Sequence, residues 1–123
     1  MINGNKNLYE IEYKGNKILV IDFAKCNGKE EVFDLLETAT DYMRSSEGNI
    51  LSLIEIEGVN IDNKFMSRSN TLSKEVYQYK RKKGAILGVF GIKTILLKAY
   101  NLFSSDKLVP FSSKEDALEY LIK

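Results

Sequence analysis

Residues 107–122 read KLVPFSSKEDALEYLI and confine the chain to a narrow set of folds. Leu108, Val109 and Phe111 make a short apolar strand, turned at Pro110. Ser112, with Glu115 three residues later, has the pattern of a capping box, in which each side chain satisfies an amide that the first helical turn leaves free. Behind it, Ala117, Leu118 and Leu121 share one helix face. A strand that passes into an amphipathic helix in so few residues is the closing unit of an α/β domain. It specifies a scaffold and carries no chemistry.

The preceding residues extend the same pattern. Residues 8–13 alternate apolar and polar side chains, the period of a half-exposed strand. Gly15-Asn16, between Lys14 and Lys17, has the composition of a two-residue hairpin turn. Residues 18–23 are nearly continuous in apolar side chains, as a central strand requires. Asn27 and Glu30 repeat the capping-box spacing before a helix with Val32, Leu35, Leu36, Ala39 and Met43 on one face, ended by Gly48. Residues 50–57 form a strand through Leu51, Leu53, Ile54 and Ile56. A second helix over 62–82 buries Phe65, Ser69, Leu72, Val76 and Tyr79, and Gly84 closes it. Residues 85–90 form a short buried strand. A third helix over 92–103 turns Ile92, Ile95, Leu96, Ala99 and Phe103 inward. The order ββαβαβαβα predicts a mostly parallel five-stranded sheet with an antiparallel N-terminal hairpin and four helices. No linker or repeat interrupts it, so residues 1–123 read as one domain.

Composition narrows the function classes. Eighteen basic and seventeen acidic residues give a net charge of +1, so no bulk field draws the chain to nucleic acid or an anionic membrane. No apolar run approaches the ~20 residues of a membrane span. The opening MINGNKNLYE has no apolar signal-peptide core, and the lone Cys26 fits a reducing compartment. The expected location is cytoplasmic. There is no histidine, which removes Ser–His–Asp and Cys–His sites, histidine proton shuttles and most catalytic zinc sites. No metal and no cofactor are expected.

The element order resembles STAS domains, and more closely the SpoIIAA-like (STAS/SEC14-like) group. The strand Ala85-Ile86-Leu87-Gly88-Val89, the helix after it and the ending Val109-Pro110-Phe111-Ser112-Ser113-Lys114-Glu115-Asp116-Ala117-Leu118 carry the likeness, which spans nearly the whole chain. The resemblance implies a SpoIIAA-like α/β fold and, for anti-sigma-antagonist members, an Asp-Ser-Ser-Gly phosphorylation motif after the strand matching 50–57. Here Asp62 falls on the motif's aspartate, while Asn63 and Lys64 stand where the serines belong. The phosphate acceptor is missing.

Four further features are open to two readings each. Lys80-Arg81-Lys82-Lys83 with Tyr77 and Tyr79 resembles a nucleic-acid patch, but cations that end a helix and oppose its dipole explain it more simply. Gly88-Val89-Phe90-Gly91-Ile92-Lys93-Thr94 imitates a phosphate loop with the wrong glycine spacing, and a looser anion contact at this helix N-terminus is its second reading. Cys26 precedes a helix N-terminus, where thiols become acidic, but a lone cysteine after a buried strand reads more simply as a small packing residue. Glu55 and Glu57 point to one face of their strand and, with Asp62 and Lys64, form the one plausible acid–base cluster; the plainer reading is a strand end rising into water.

The third helix carries more apolar surface than one core stripe needs. Leu97 lies off the inward face, Tyr100 at its margin and Leu102 on the opposite flank, which suggests a seam for self-association or an apolar ligand. The sequence therefore points to a non-catalytic, bacterial, STAS-like binding or regulatory protein. Its expected partner is another protein or a second copy, bound through Asp62, Asn63, Lys64 and Met66 at the start of the second helix or through Leu97 and Tyr100. The first alternative is a SEC14-like binder of a small apolar or lipid-like molecule. The second is an enzyme built on Glu55, Glu57, Asp62 and Lys64.

Overall fold

In the computed structural model, which describes residues 1–123, the chain opens as a hairpin of β1 (Leu8–Tyr13) and β2 (Asn16–Asp22). The turn is one residue earlier than its composition suggests. Lys14 and Gly15 take the positive φ angles of 49° and 83°, and Tyr13 pairs with Asn16, the geometry whose twist matches that of the flanking strands. β1 is the exposed edge, whereas β2 is buried from Ile18 to Asp22.

Helix α1 (Lys29–Ser45) buries the expected stripe of Val32, Leu35, Leu36, Ala39 and Met43. Its start differs from the expected capping box. Gly28, at φ 90°, is the N-cap, and the Asn27 amide donates to the Glu31 carboxylate at 3.1 Å. Glu30 takes no part. β3 spans Ile50–Glu55, two residues short of the expected end, because the Glu55 side chain turns back and accepts the Glu57 amide at 2.9 Å.

The second helix departs furthest from its sequence pattern. α2 (Asn63–Leu72) passes into a π-helical stretch, Ser73–Tyr77, and a closing turn, Gln78–Lys80. The wider π turn rotates the face so that Val76 and Tyr77 are both buried, leaving Tyr79 70% exposed. The helix ends at Lys80, the first residue of the basic run, and Arg81 already begins β4 (Arg81–Leu87). β4 therefore starts four residues before the expected strand and stops short of Phe90.

α3 (Ile92–Phe103), β5 (Leu108–Phe111) and α4 (Lys114–Leu121) complete the chain. Strand order in the sheet follows the sequence, β1 to β5, with β1–β2 antiparallel and the other pairs parallel. Alternate residues of the central strands feed two cores. Leu19, Ile21, Ile54 and Ile86 face α1, α2 and α3. Ile18, Val20, Leu53, Ala85 and Leu87 face α4 through Ala117, Leu118 and Leu121. α4 is capped by Ser113, whose hydroxyl accepts the Asp116 amide at 3.1 Å, one residue on from the expected Ser112–Glu115 pair.

Candidate functional site: an apolar cavity beneath the third helix

Ile21, Ile54 and Ile86 stand side by side on three adjacent strands, in register with one another. Parallel strands buried on both faces demand such β-branched residues, and the register lines them up as a floor. α2 and α3 do not close fully upon it. They leave a cavity of about 90 Å³ lined by eighteen residues, fifteen of them hydrophobic. The polar exceptions, Ser69, Arg81 and Lys93, decide its chemistry.

Arg81 lies at the inner end with its side chain only 3% exposed. An isolated buried guanidinium is prohibitively costly, and this one is fully engaged. It donates to Asp106 at 2.5 Å and to the Ser52 hydroxyl at 3.1 Å, and it stacks 4.6 Å from the Tyr77 ring centre. Tyr100 donates to the same Asp106 oxygen at 2.5 Å, while the Asp106 amide donates to Ser104. Burial alone would lower the Arg81 pKa, but Asp106 and the two tyrosines overcome it and hold the group charged. Burial, reinforced by the Asp106 charge, pushes the Tyr100 phenol well above its ordinary range. The inner end is polar yet electrically neutral.

Gly84 makes this arrangement possible. A Cβ there would meet Leu108 at 2.4 Å and the Arg81 side chain at 3.0 Å, so the arginine lies across a position that only glycine leaves free. Lys93, on the first turn of α3, lines the cavity from its partly exposed side and donates to the Ile56 carbonyl at 2.9 Å. No carboxylate lines the cavity.

The expected site residues divide into two groups. Met66, Leu97 and Tyr100 come together as cavity lining. Leu97 and Tyr100 thus face inward, with Tyr100 buried, whereas Ile92, Ile95 and Phe103, expected inside, are 62–75% exposed. Asp62, Asn63 and Lys64 lie elsewhere, at the start of α2. Asp62 is the N-cap and accepts the Phe65 amide at 2.9 Å; that bond, aided by Lys29 at 3.5 Å, holds its carboxyl below the usual range. Asn63 is exposed, and the Lys64 ammonium sits 5.1 Å from the Phe33 ring centre.

Glu55 and Glu57 do not converge on the cavity either, and no group of three or more metal-ligating side chains forms. Gly88 packs directly on the Glu57 backbone, so this glycine serves a close contact between strand ends. Burial pushes the Cys26 thiol up, although Asn7 donates to its sulfur at 3.6 Å. That is the reverse of a reactive thiol.

Sequence reasoning missed Asp106 and the isoleucine row, and it took Arg81 for one of several helix-ending cations and Lys93 for part of an imperfect phosphate loop. Arg81 was hidden among lysines, and its only local signal was Gly84 three residues on. No helix is long and apolar enough to cross a membrane. No protein-family model matches the chain, and comparison with curated proteins finds no significant match. Among solved structures, the chain is similar to an uncharacterized protein of the DUF3478 family with a SpoIIAA-like fold from Shewanella loihica PV-4. The two share 19% identity over 93% of this chain and 91% of that one, with a TM-score of 0.64. The likeness, with the strand order and the four helices, establishes a SpoIIAA-like α/β fold.

Proposed function

We propose that the chain is a non-catalytic bacterial binding protein whose cavity takes a small lipid-like molecule with one anionic end. The observation that carries this reading is the row Ile21, Ile54 and Ile86, roofed by Leu97, with Lys93 as the one unneutralised cation in the lining. Apolar walls with few polar groups are the usual make-up of a ligand site. Because Arg81 and Asp106 neutralise each other, a charged head is drawn to Lys93 and the apolar tail inward.

Magnitude sets a condition. A cavity of about 90 Å³ is smaller than the ~150 Å³ that holds benzene, so a chain of several carbons enters only when α3 shifts outward. Tyr100 is the one fully buried residue of that helix, which leaves little apolar contact resisting such a shift. The placement of Glu55, Glu57, Asp62 and Lys64 outside the lining supports a binding role over catalysis.

Titration with 1-anilinonaphthalene-8-sulfonate, an apolar anion whose fluorescence rises in dry surroundings, tests the reading. Binding should saturate, be displaced by decanoate, and weaken roughly tenfold in Leu97→Trp at an unchanged unfolding midpoint. A flat titration in cooperatively folded protein overturns it.

A further inference from the structure

α3 carries a second apolar stripe that does not face the cavity. Ile92, Ile95 and Leu102 are 67%, 62% and 73% exposed, and Ala99 between them is exposed as well. Phe90 and Phe103, at 62% and 75%, stand at the two ends. We propose that this flank is an interface between two copies of the chain, α3 packing antiparallel on α3 about a two-fold axis. The proposal is independent of what fills the cavity.

The stripe is self-complementary. The positions 92, 95, 99 and 102 are spaced three, four and three, the repeat of a helix-pairing seam, and this spacing reads the same in either direction. An inverted copy therefore sets Ile92 opposite Leu102 at each end and, at the centre, Ile95 opposite Ala99 of the other chain, large against small, so that the helices approach closely there. The same inversion brings Phe90 of each copy toward Phe103 of the other. An isologous dimer requires a patch that matches itself in this manner.

The area is sufficient. With about 200 Å² for a large apolar side chain, five at 62–75% exposure leave roughly 600–700 Å² in water on each copy. That equals or exceeds the ~300–600 Å² of the largest patch on a typical monomer. It also supplies the apolar share of a standard interface of ~800 Å² per partner.

Charge separates this occupant from others. α3 contains Lys93 and Lys98 and no acidic residue. Lys98 borders the seam, so pairing two copies brings lysines together, a repulsion that salt screens. Self-association should therefore strengthen with ionic strength, whereas docking on an anionic partner or bilayer should weaken.

Sedimentation equilibrium of the full chain over a roughly hundredfold concentration range tests the proposal. The expected result is a dimer, favoured by added sodium chloride and converted to monomer by Ile95→Glu, an exposed substitution that leaves the unfolding midpoint equal to that of the parent diluted to monomer. Orientation is tested in the Cys26→Ser background. Mixing Ile92→Cys with Leu102→Cys protein should give disulfide-linked heterodimers in preference to either homodimer. A monomer at the highest concentration, or a dimer indifferent to Ile95→Glu, overturns the proposal. So does flotation with phosphatidylglycerol vesicles that Ile95→Glu abolishes in a monomeric protein, which assigns the flank to a bilayer instead.

Discussion

Arg81 and Asp106 form an ion pair 2.5 Å long with both side chains at most 3% exposed, joining the first residue of β4 to the loop before β5. Their burial makes the loss of one partner far costlier than the loss of both, because a single deletion strands a charge in the core. Asp106→Ala should destabilise by about 3–5 kcal/mol, and the double variant Arg81→Met, Asp106→Leu by clearly less. Urea unfolding of Asp106→Ala, of the singles Arg81→Met and Asp106→Leu, and of their double decides this. Additive losses would show that the pair acts only through packing.

Tyr100 gives the pair a pH dependence. Its folded pKa is raised by burial and by Asp106, so the native state holds the phenolic proton after the unfolded chain has released it. The stabilisation is complete below the unfolded tyrosine pKa of about 10 and is lost as pH rises from there through the folded value. Buried Tyr77, also raised, shares the sign. Thermal unfolding followed from neutral pH to above pH ~10 should show a falling midpoint, with a shallower fall in Tyr100→Phe. The same variant loses one hydrogen bond at neutral pH, about 1–2 kcal/mol. An identical alkaline slope in the two proteins would refute the assignment to Tyr100.

The legible parts of this fold were those where one local pattern admits one solution. α1 has five apolar residues on a single face, and all five are buried. α3 has apolar residues at eight of its twelve positions, so periodicity allows several inward faces, and the hydrogen bond from Tyr100 to Asp106 fixes which one is used. That bond joins α3 to a loop and leaves no spacing signal. Arg81 shows the same limit. A cation in a run of cations reads as solvated, and only the sheet register reveals that Gly84 clears a path for it to a buried carboxylate. The cavity floor is likewise a property of register: Ile21, Ile54 and Ile86 are each ordinary core residues until three strands align them.

Gly88 joins β4 to the turn after β3. It has φ 88°, and a Cβ there would lie 2.3 Å from the Glu57 amide nitrogen and 2.9 Å from Glu55 Oε1. Gly58 also has a positive φ, 77°, but faces open space. Gly58→Ala should therefore cost only backbone strain, about 1–2 kcal/mol. Gly88→Ala adds a collision with backbone that cannot swing aside and should cost about 3 kcal/mol or more. Chemical denaturation of the two variants measures the difference, and equal losses would mean that the Glu55–Glu57 turn yields freely.

Ser112 and Ser113 are adjacent hydroxyls at the start of α4, but only Ser113 caps it, accepting the Asp116 amide at 3.1 Å. Ser113→Ala leaves that amide without its partner and should cost about 1 kcal/mol. Ser112→Ala touches no bond of the helix and should fall within about 0.5 kcal/mol of the parent. The effect should reach beyond α4, because Ala117, Leu118 and Leu121 on this short helix supply its side of the second core, and a frayed first turn loosens Ala117. Amide exchange in β2 and β4, whose Val20 and Ala85 lie in that core, should accelerate in Ser113→Ala and not in Ser112→Ala. The reverse ranking would return the cap to Ser112 and Glu115, the pair that the sequence pattern favours.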